Sequence, residues 1–77
     1  MRELLEFLAR ALVENPDEVR VTEVIEDDGE VVFELEVADD DLGRIIGRGG
    51  RIANALRSVT KAAATRADVR VAVEILD

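Results

Sequence analysis

Residues 42–56 read Leu-Gly-Arg-Ile-Ile-Gly-Arg-Gly-Gly-Arg-Ile-Ala-Asn-Ala-Leu, with Gly47, Gly49 and Gly50 falling inside four positions. Arg44, Arg48 and Arg51 lie within this stretch and Arg57 follows it. Glycine admits left-handed dihedrals and, lacking Cβ, lets another chain come close. A glycine turn that opens a helix among cations is suited to holding a phosphate. The first amides of a helix lack internal partners, and its dipole favours an anion there.

Charge is segregated along the chain. Residues 42–67 hold six basic side chains (Arg44, Arg48, Arg51, Arg57, Lys61, Arg66) and no acid, while the remainder is so acidic that the net charge is −8. A protein this acidic should not adhere to polyanions in general. A cationic island can still hold one, with the acidic remainder repelling other arrivals.

Composition removes whole classes of chemistry. The chain has 77 residues, no cysteine and no histidine, so it has no disulfide, thiolate metal site, thiol nucleophile or imidazole acid–base group. Ser58 and Thr60 lack an activating base, and the acids cluster away from the glycines, which speaks against an enzyme. No cofactor and no metal is expected. Asp39, Asp40 and Asp41 are consecutive, and consecutive residues do not readily face one ion. No apolar run reaches the roughly 20 residues a bilayer crossing needs, and the first residues lack a signal-peptide pattern. The expectation is a cytoplasmic protein, with residues 1–77 forming one small domain.

Hydrophobic spacing supplies the elements that must position the turn. Met1, Leu4, Leu5, Leu8 and Leu12, widened by Phe7 and Ala11, predict a helix over 1–14 that buries this stripe. Asn15 is expected to end it in a left-handed conformation, ahead of Pro16. Residues 19–26 and 31–37 are β-branched runs joined through Asp28-Gly29, a tight-hairpin signal. Val31, Phe33, Leu35 and Val37 alternate with Val32, Glu34 and Glu36, giving one buried and one wet face. Glu23 interrupts the first run, which is expected to carry a bulge or lie at an edge.

The three aspartates predict an N-cap for a short helix over 41–46. A second helix over 50–65 is expected to bury Ile52, Ala55, Leu56, Val59 and Ala63, with Arg57 and Lys61 either reaching phosphates or, the favoured reading, solubilising the helix. Val69, Val71, Val73 and Ile75 alternate in a last strand over 69–75. The predicted order is α-β-β-α-α-β. The hairpin pairs antiparallel, and the helical link allows a parallel third strand. The result is an α+β fold with a three-stranded mixed sheet and helices on one face.

Spacing separates this turn from other phosphate devices. A Walker loop needs Gly, four residues, Gly, then Lys and Ser/Thr; the only lysine, Lys61, lies far downstream. The dinucleotide fingerprint needs G-x-G-x-x-G directly after a strand, and Gly47-Arg48-Gly49-Gly50 lacks that third glycine. A helix-turn-helix for duplex DNA stays open on spacing. Its turn, however, rarely needs three glycines, and its recognition helix usually carries base-reading polar groups near its start, where Ile52 and Ala53 stand here.

Ile46-Gly47-Arg48-Gly49-Gly50 resembles the Ile-Gly-x-x-Gly loop of KH domains, and the element order resembles the type II arrangement of that family. The whole chain, with the run Gly-Arg-Ile-Ile-Gly-Arg-Gly-Gly-Arg-Ile-Ala-Asn-Ala-Leu-Arg, is similar to small stand-alone bacterial KH proteins of the KhpA family. One departure is Ala53, where many KH domains place a large aliphatic residue three positions after the last glycine. The resemblance implies a non-enzymatic single-stranded RNA binder, contacting RNA through Arg44, Ile45, Ile46, Gly47, Arg48, Gly49, Gly50, Arg51 and Ile52. Gly47 and Gly50 are expected to set the turn dihedrals, and Ile45, Ile46 and Ile52 to form an apolar wall beneath the bases. The resemblance further implies a homodimer, or pairing with a larger multidomain KhpB-like protein, and roles in post-transcriptional regulation, RNA chaperoning and control of cell shape and division. The alternative is a protein-interaction module that keeps the fold without significant RNA binding.

Overall fold

The computed structural model describes residues 1–77. Its elements are α1 (Arg2–Leu12), a single 3₁₀ turn at Pro16–Glu18, β1 (Arg20–Ile25), β2 (Val31–Glu36), α2 (Asp39–Arg66) and β3 (Val71–Ile75). The strands form one sheet in the order β1-β2-β3. β1 pairs antiparallel with β2 from Arg20↔Glu36 to Ile25↔Val31. β3 pairs parallel with β2 from Val31↔Val71 to Leu35↔Ile75. The pairing of β1 is continuous, so of the two expectations for it the edge position is the one realised, without a bulge.

Both helices pack on one face. Leu5 and Ala9 of α1 and Leu56 and Ala64 of α2 meet Val21, Phe33, Leu35, Val71 and Val73 of the sheet. Burying each large aliphatic or aromatic side chain contributes about 1.5–3 kcal/mol. The sheet is only three strands wide, so each helix buries a narrower stripe than its sequence offers. Phe7, expected inside, is 69% exposed. It lies two residues from Leu5, about 200° around the helix, and the sheet does not wrap that far.

The same correction applies to α2. Ala53, Leu56, Thr60 and Ala64 are its buried line, whereas Ala55 and Val59 face outward. Thr60 replaces Val59 inside because its hydroxyl donates to the Leu56 carbonyl at 2.8 Å. A threonine satisfied within its own helix is buried without leaving a polar group unpaired.

On the inner face of β1 only Val21 joins the core; Glu23, opposite Phe33, reaches water and Ile25 stays 68% exposed. On the opposite face Val32 is buried instead of wet, flanked in register by Val24 and Ala72. The hairpin turns at Gly29, whose φ is +89°.

The ends of the helices also differ from the sequence expectation. Asn15 has φ −119° and ψ 69°, outside the left-handed region. The N-cap of α2 is Ala38, with no side-chain cap. Asp41 serves another purpose: its carboxylate accepts from the backbone N–H of Glu14 at 2.9 Å, and from the backbone N–H and Nδ2 of Asn15, both at 3.0 Å. The aspartate thus binds the N–H groups of the two residues that follow the C-cap of α1, locking the exit of α1 to the start of α2. Asp39 and Asp40 stay exposed while Asp41 turns inward, and no group of acids converges as a metal site. α2 ends in a Schellman arrangement, with Asp68 at φ +59° and the Val69 N–H bonded to the Ala64 carbonyl. That bond holds Val69 at the helix end, and β3 starts two residues later than expected.

The Glu14 amide is the main cause holding the Asp41 carboxyl below its ordinary 3.8, with help from the two Asn15 donors and Arg44. A depressed acid stabilises the fold above its unfolded value and loses that contribution as pH falls through its folded value. Asp41→Asn should therefore melt lower than the parent near neutral pH. Melting curves taken at successively lower pH should converge below about pH 4; a gap that stays constant through the acid range would contradict the lock.

Candidate functional site

Hydrogen bonding carries α2 as one element from Asp39 to Arg66, but its dihedrals break at Gly47–Gly50. Two helical arms, 39–46 and 51–66, therefore flank the turn, matching within two residues the helices expected over 41–46 and 50–65. Gly47 is extended at φ −72°, ψ 171°, whereas Arg48, Gly49 and Gly50 are all left-handed at φ 53°, 71° and 74°. The expectation that Gly47 and Gly50 set the turn is half right, since Gly47 has no unusual φ. The demanding positions are 48–50, and one of them is an arginine. A left-handed L-residue costs about 1–2 kcal/mol, and strain of this kind concentrates at functional sites.

Anchors on both sides hold the turn out from the body. Ile45 and Asp41 are buried on the first arm, and Ala53 and Leu56 on the second. Between them Ile46, Arg48, Gly49 and Arg51 are exposed. A cleft of about 400 Å³ opens beside the turn, lined by Gly43, Arg44, Gly47, Arg48, Arg51 and Ile52. Its lining holds three arginines and no acid. Gly43 is the lining residue that sequence reasoning passed over; its spacing of four from Gly47 was the available signal.

The expected site residues separate into three groups. Arg44, Gly47, Arg48, Arg51 and Ile52 come together around the cleft. Ile46, 51% exposed, Gly49 and Gly50 border the turn without lining that cleft. Ile45 is fully buried, so it presents no wall to a ligand and supports the first arm from beneath.

The charge separation seen in sequence is partly undone in space. Arg44 Nη2 lies 3.4 Å from Glu14 Oε2, which tempers its charge. Arg48, Arg51, Arg57 and Lys61 have no carboxylate within ion-pairing distance. Glu36 and Glu74 stay exposed on the open sheet face, and Glu34, in register with Glu74, is half-buried there. That face is electrostatically unsuited to a polyanion, and the turn is suited to one.

Arg57 is a further correction. Instead of solubilising the helix, it is half-buried, its Nε donating to the Val73 carbonyl at 3.2 Å and its Nη1 to Asn54 Oδ1 at 3.4 Å.

The turn's conformation yields opposite expectations for two neighbouring glycines. A Cβ at Gly47 or Gly49 would meet nothing within 4 Å, but only Gly49 has a positive φ. Gly47→Ala should stabilise by up to about 1 kcal/mol by restricting the unfolded chain. Gly49→Ala should destabilise by about 1–2 kcal/mol. Urea unfolding midpoints moving in the same direction for both would show that the turn is shaped differently.

A sequence model of the family described as KhpA/KhpB, KH domain, matches residues 2–75. Among curated proteins, the RNA-binding protein KhpA of Clostridium acetobutylicum is 50% identical over 76 residues, covering 99% of this chain and 100% of its own. The protein of the same name from Halalkalibacterium halodurans is 51% identical over 78 residues, with both chains fully covered. That from Aquifex aeolicus is 46% identical over 77 residues, covering 100% of this chain and 96% of its own.

Proposed function

This chain belongs to the KhpA/KhpB KH-domain family, and we propose on that basis that it binds single-stranded RNA through the turn at residues 47–50, without catalysis. The observation that carries the reading is the arginine-lined, acid-free cleft beside a strained left-handed turn. KH modules clamp about four nucleotides by their backbone with such a loop. Arg48 and Arg51 supply charge to the phosphates. The amides at the start of arm 51–66 supply donors, aided by the helix dipole. Ile46 and Ile52 offer apolar surface for bases.

Gly47 fits the same account. Neither its dihedrals nor its neighbours require glycine. A backbone passing directly over its Cα would. Relatives named as RNA-binding proteins at about half identity over their full length support the same assignment.

With about three phosphate contacts, affinity for one copy should be modest and fall with salt at a slope near −2. Useful affinity then calls for a second module, as a homodimer or with a larger KH partner, because linked sites gain from effective concentration. No helix is long and apolar enough to cross a membrane, and a cytoplasmic role in RNA regulation or chaperoning accords with the reading. The alternative of a protein-docking module draws on the acidic net charge and the exposed Phe7.

The deciding experiment replaces Arg48 and Gly49 together by aspartate. Both positions are exposed, and aspartate tolerates left-handed dihedrals. Anisotropy with a labelled oligoribonucleotide should weaken by at least about tenfold, which is 1.4 kcal/mol. The circular dichroism spectrum should not change. Undiminished RNA binding by the double variant would remove the assignment and favour the docking alternative.

A further inference from the structure

On arm 51–66 and the turn before it, Gly50, Asn54, Arg57 and Lys61 recur at i, i+4, i+7 and i+11, which places them along one helix face. That face reaches the outer edge of β3, the last strand of the sheet, through the Arg57–Val73 hydrogen bond. The Leu76 N–H donates to the Leu35 carbonyl, and the Arg70 carbonyl accepts from the Val31 N–H. Even-numbered residues of β3 therefore turn their peptide groups toward β2, and Val71, Val73 and Ile75 turn theirs to the open edge. The Val73 carbonyl is such an edge group, and Arg57 is its partner.

Arg57 differs from the other nine basic residues, all of which are exposed, in being half-buried. Its two hydrogen bonds go to neutral oxygens, and no carboxylate is within ion-pairing distance. Partial desolvation of a cation without a counter-charge is unfavourable for stability alone. What the arrangement achieves is a guanidinium pinned in one plane with its charge uncompensated. Asn54 connects it to the turn: its side chain lies within 4 Å of where a Cβ on Gly50 would stand.

The protein has no Trp or Tyr, Phe33 is buried, and Phe7 is on α1 away from the cleft lining. Aromatic stacking of bases at the cleft, or along the face of Arg57 beyond its lining, is therefore absent. Unpaired bases also stack on arginine planes. From Gly50 to Arg57 the helix rises about 10 Å, within the span of the roughly four nucleotides a KH loop clamps. The geometry points to Arg57 as the residue that stacks a base of the bound strand, while Arg48 and Arg51 hold phosphates. This assignment rests on the RNA-binding reading above.

The test compares an oligouridine hexamer with an abasic ribose-phosphate strand of equal length, by anisotropy, for the parent protein and Arg57→Lys. Lysine keeps the charge but loses the plane and the forked donors. The parent should prefer the base-bearing strand by about tenfold or more. Arg57→Lys should lose most of that preference while its abasic binding stays within about twofold of the parent's. A variant that keeps the preference, or weakens on both strands alike, overturns the assignment and leaves Arg57 as a clasp between helix and strand edge.

Should the variant not fold, the Arg57 Nε–H resonance of the parent gives a second readout. It should shift with oligouridine and not with the abasic strand; equal shifts, or none with either, overturn the assignment. A parent that retains neither strand sinks the RNA-binding reading as well. A parent that binds, with an indifferent Arg57→Lys, removes only the role given to Arg57.

Discussion

Three successive left-handed residues in the middle of a helix would not persist by local preference. Each non-glycine in that region costs about 1–2 kcal/mol, and helix propagation through 47–50 would otherwise satisfy the backbone. The conformation is imposed from outside the turn. Asp41 and Ile45 fix the first arm, Ala53 and Leu56 fix the second, and the chain between them has only the turn by which to connect two anchored ends. Gly49 and Gly50 lower the strain at two of the three positions, and Arg48 bears it where a cation is wanted.

The Asp41 lock extends this dependence to α1. A buried carboxylate that accepts three N–H donors holds the end of α1 against the first arm, so α1, the sheet and the turn are mechanically continuous. The same junction brings Glu14 to Arg44 and tempers one of the cleft's three positive charges. The remaining positive potential is concentrated on Arg48 and Arg51, at the tip, in a molecule whose net charge is −8. The positive potential is therefore local, confined to the turn and its flanks. The open sheet face, with Glu36 and Glu74 exposed, carries the opposite charge.

Much of the frame was legible in residue patterns. Alternation in β2 and β3, the Asp28-Gly29 turn and the long helical link were enough for a mixed three-stranded sheet, because period-two and period-3.6 signals are local. The glycine cluster announced the turn for the same reason. The side that each helix buries was not legible to that degree. Phe7 and Val59 are apolar and in stripe, yet a three-stranded sheet lacks the width to cover them, and Thr60 passes as apolar once its hydroxyl is bonded to Leu56. Ile45 and Ile46 look alike in sequence; packing made the first a buried support and left the second half exposed.

By itself the sequence determined the element types, the pairing of the hairpin, the site of the glycine turn and the acid-free character of residues 42–67, since each depends on neighbours a few positions apart. Tertiary structure decided what Asp41 and Arg57 do. An aspartate at the start of a helix is read locally as a cap, and an arginine on a helix as a solvated charge. Their partners, Glu14 and Asn15 in one case and Val73 in the other, lie 27, 26 and 16 residues away. Contacts over such distances exist only once the core has brought the segments together, and no periodicity in the chain records them.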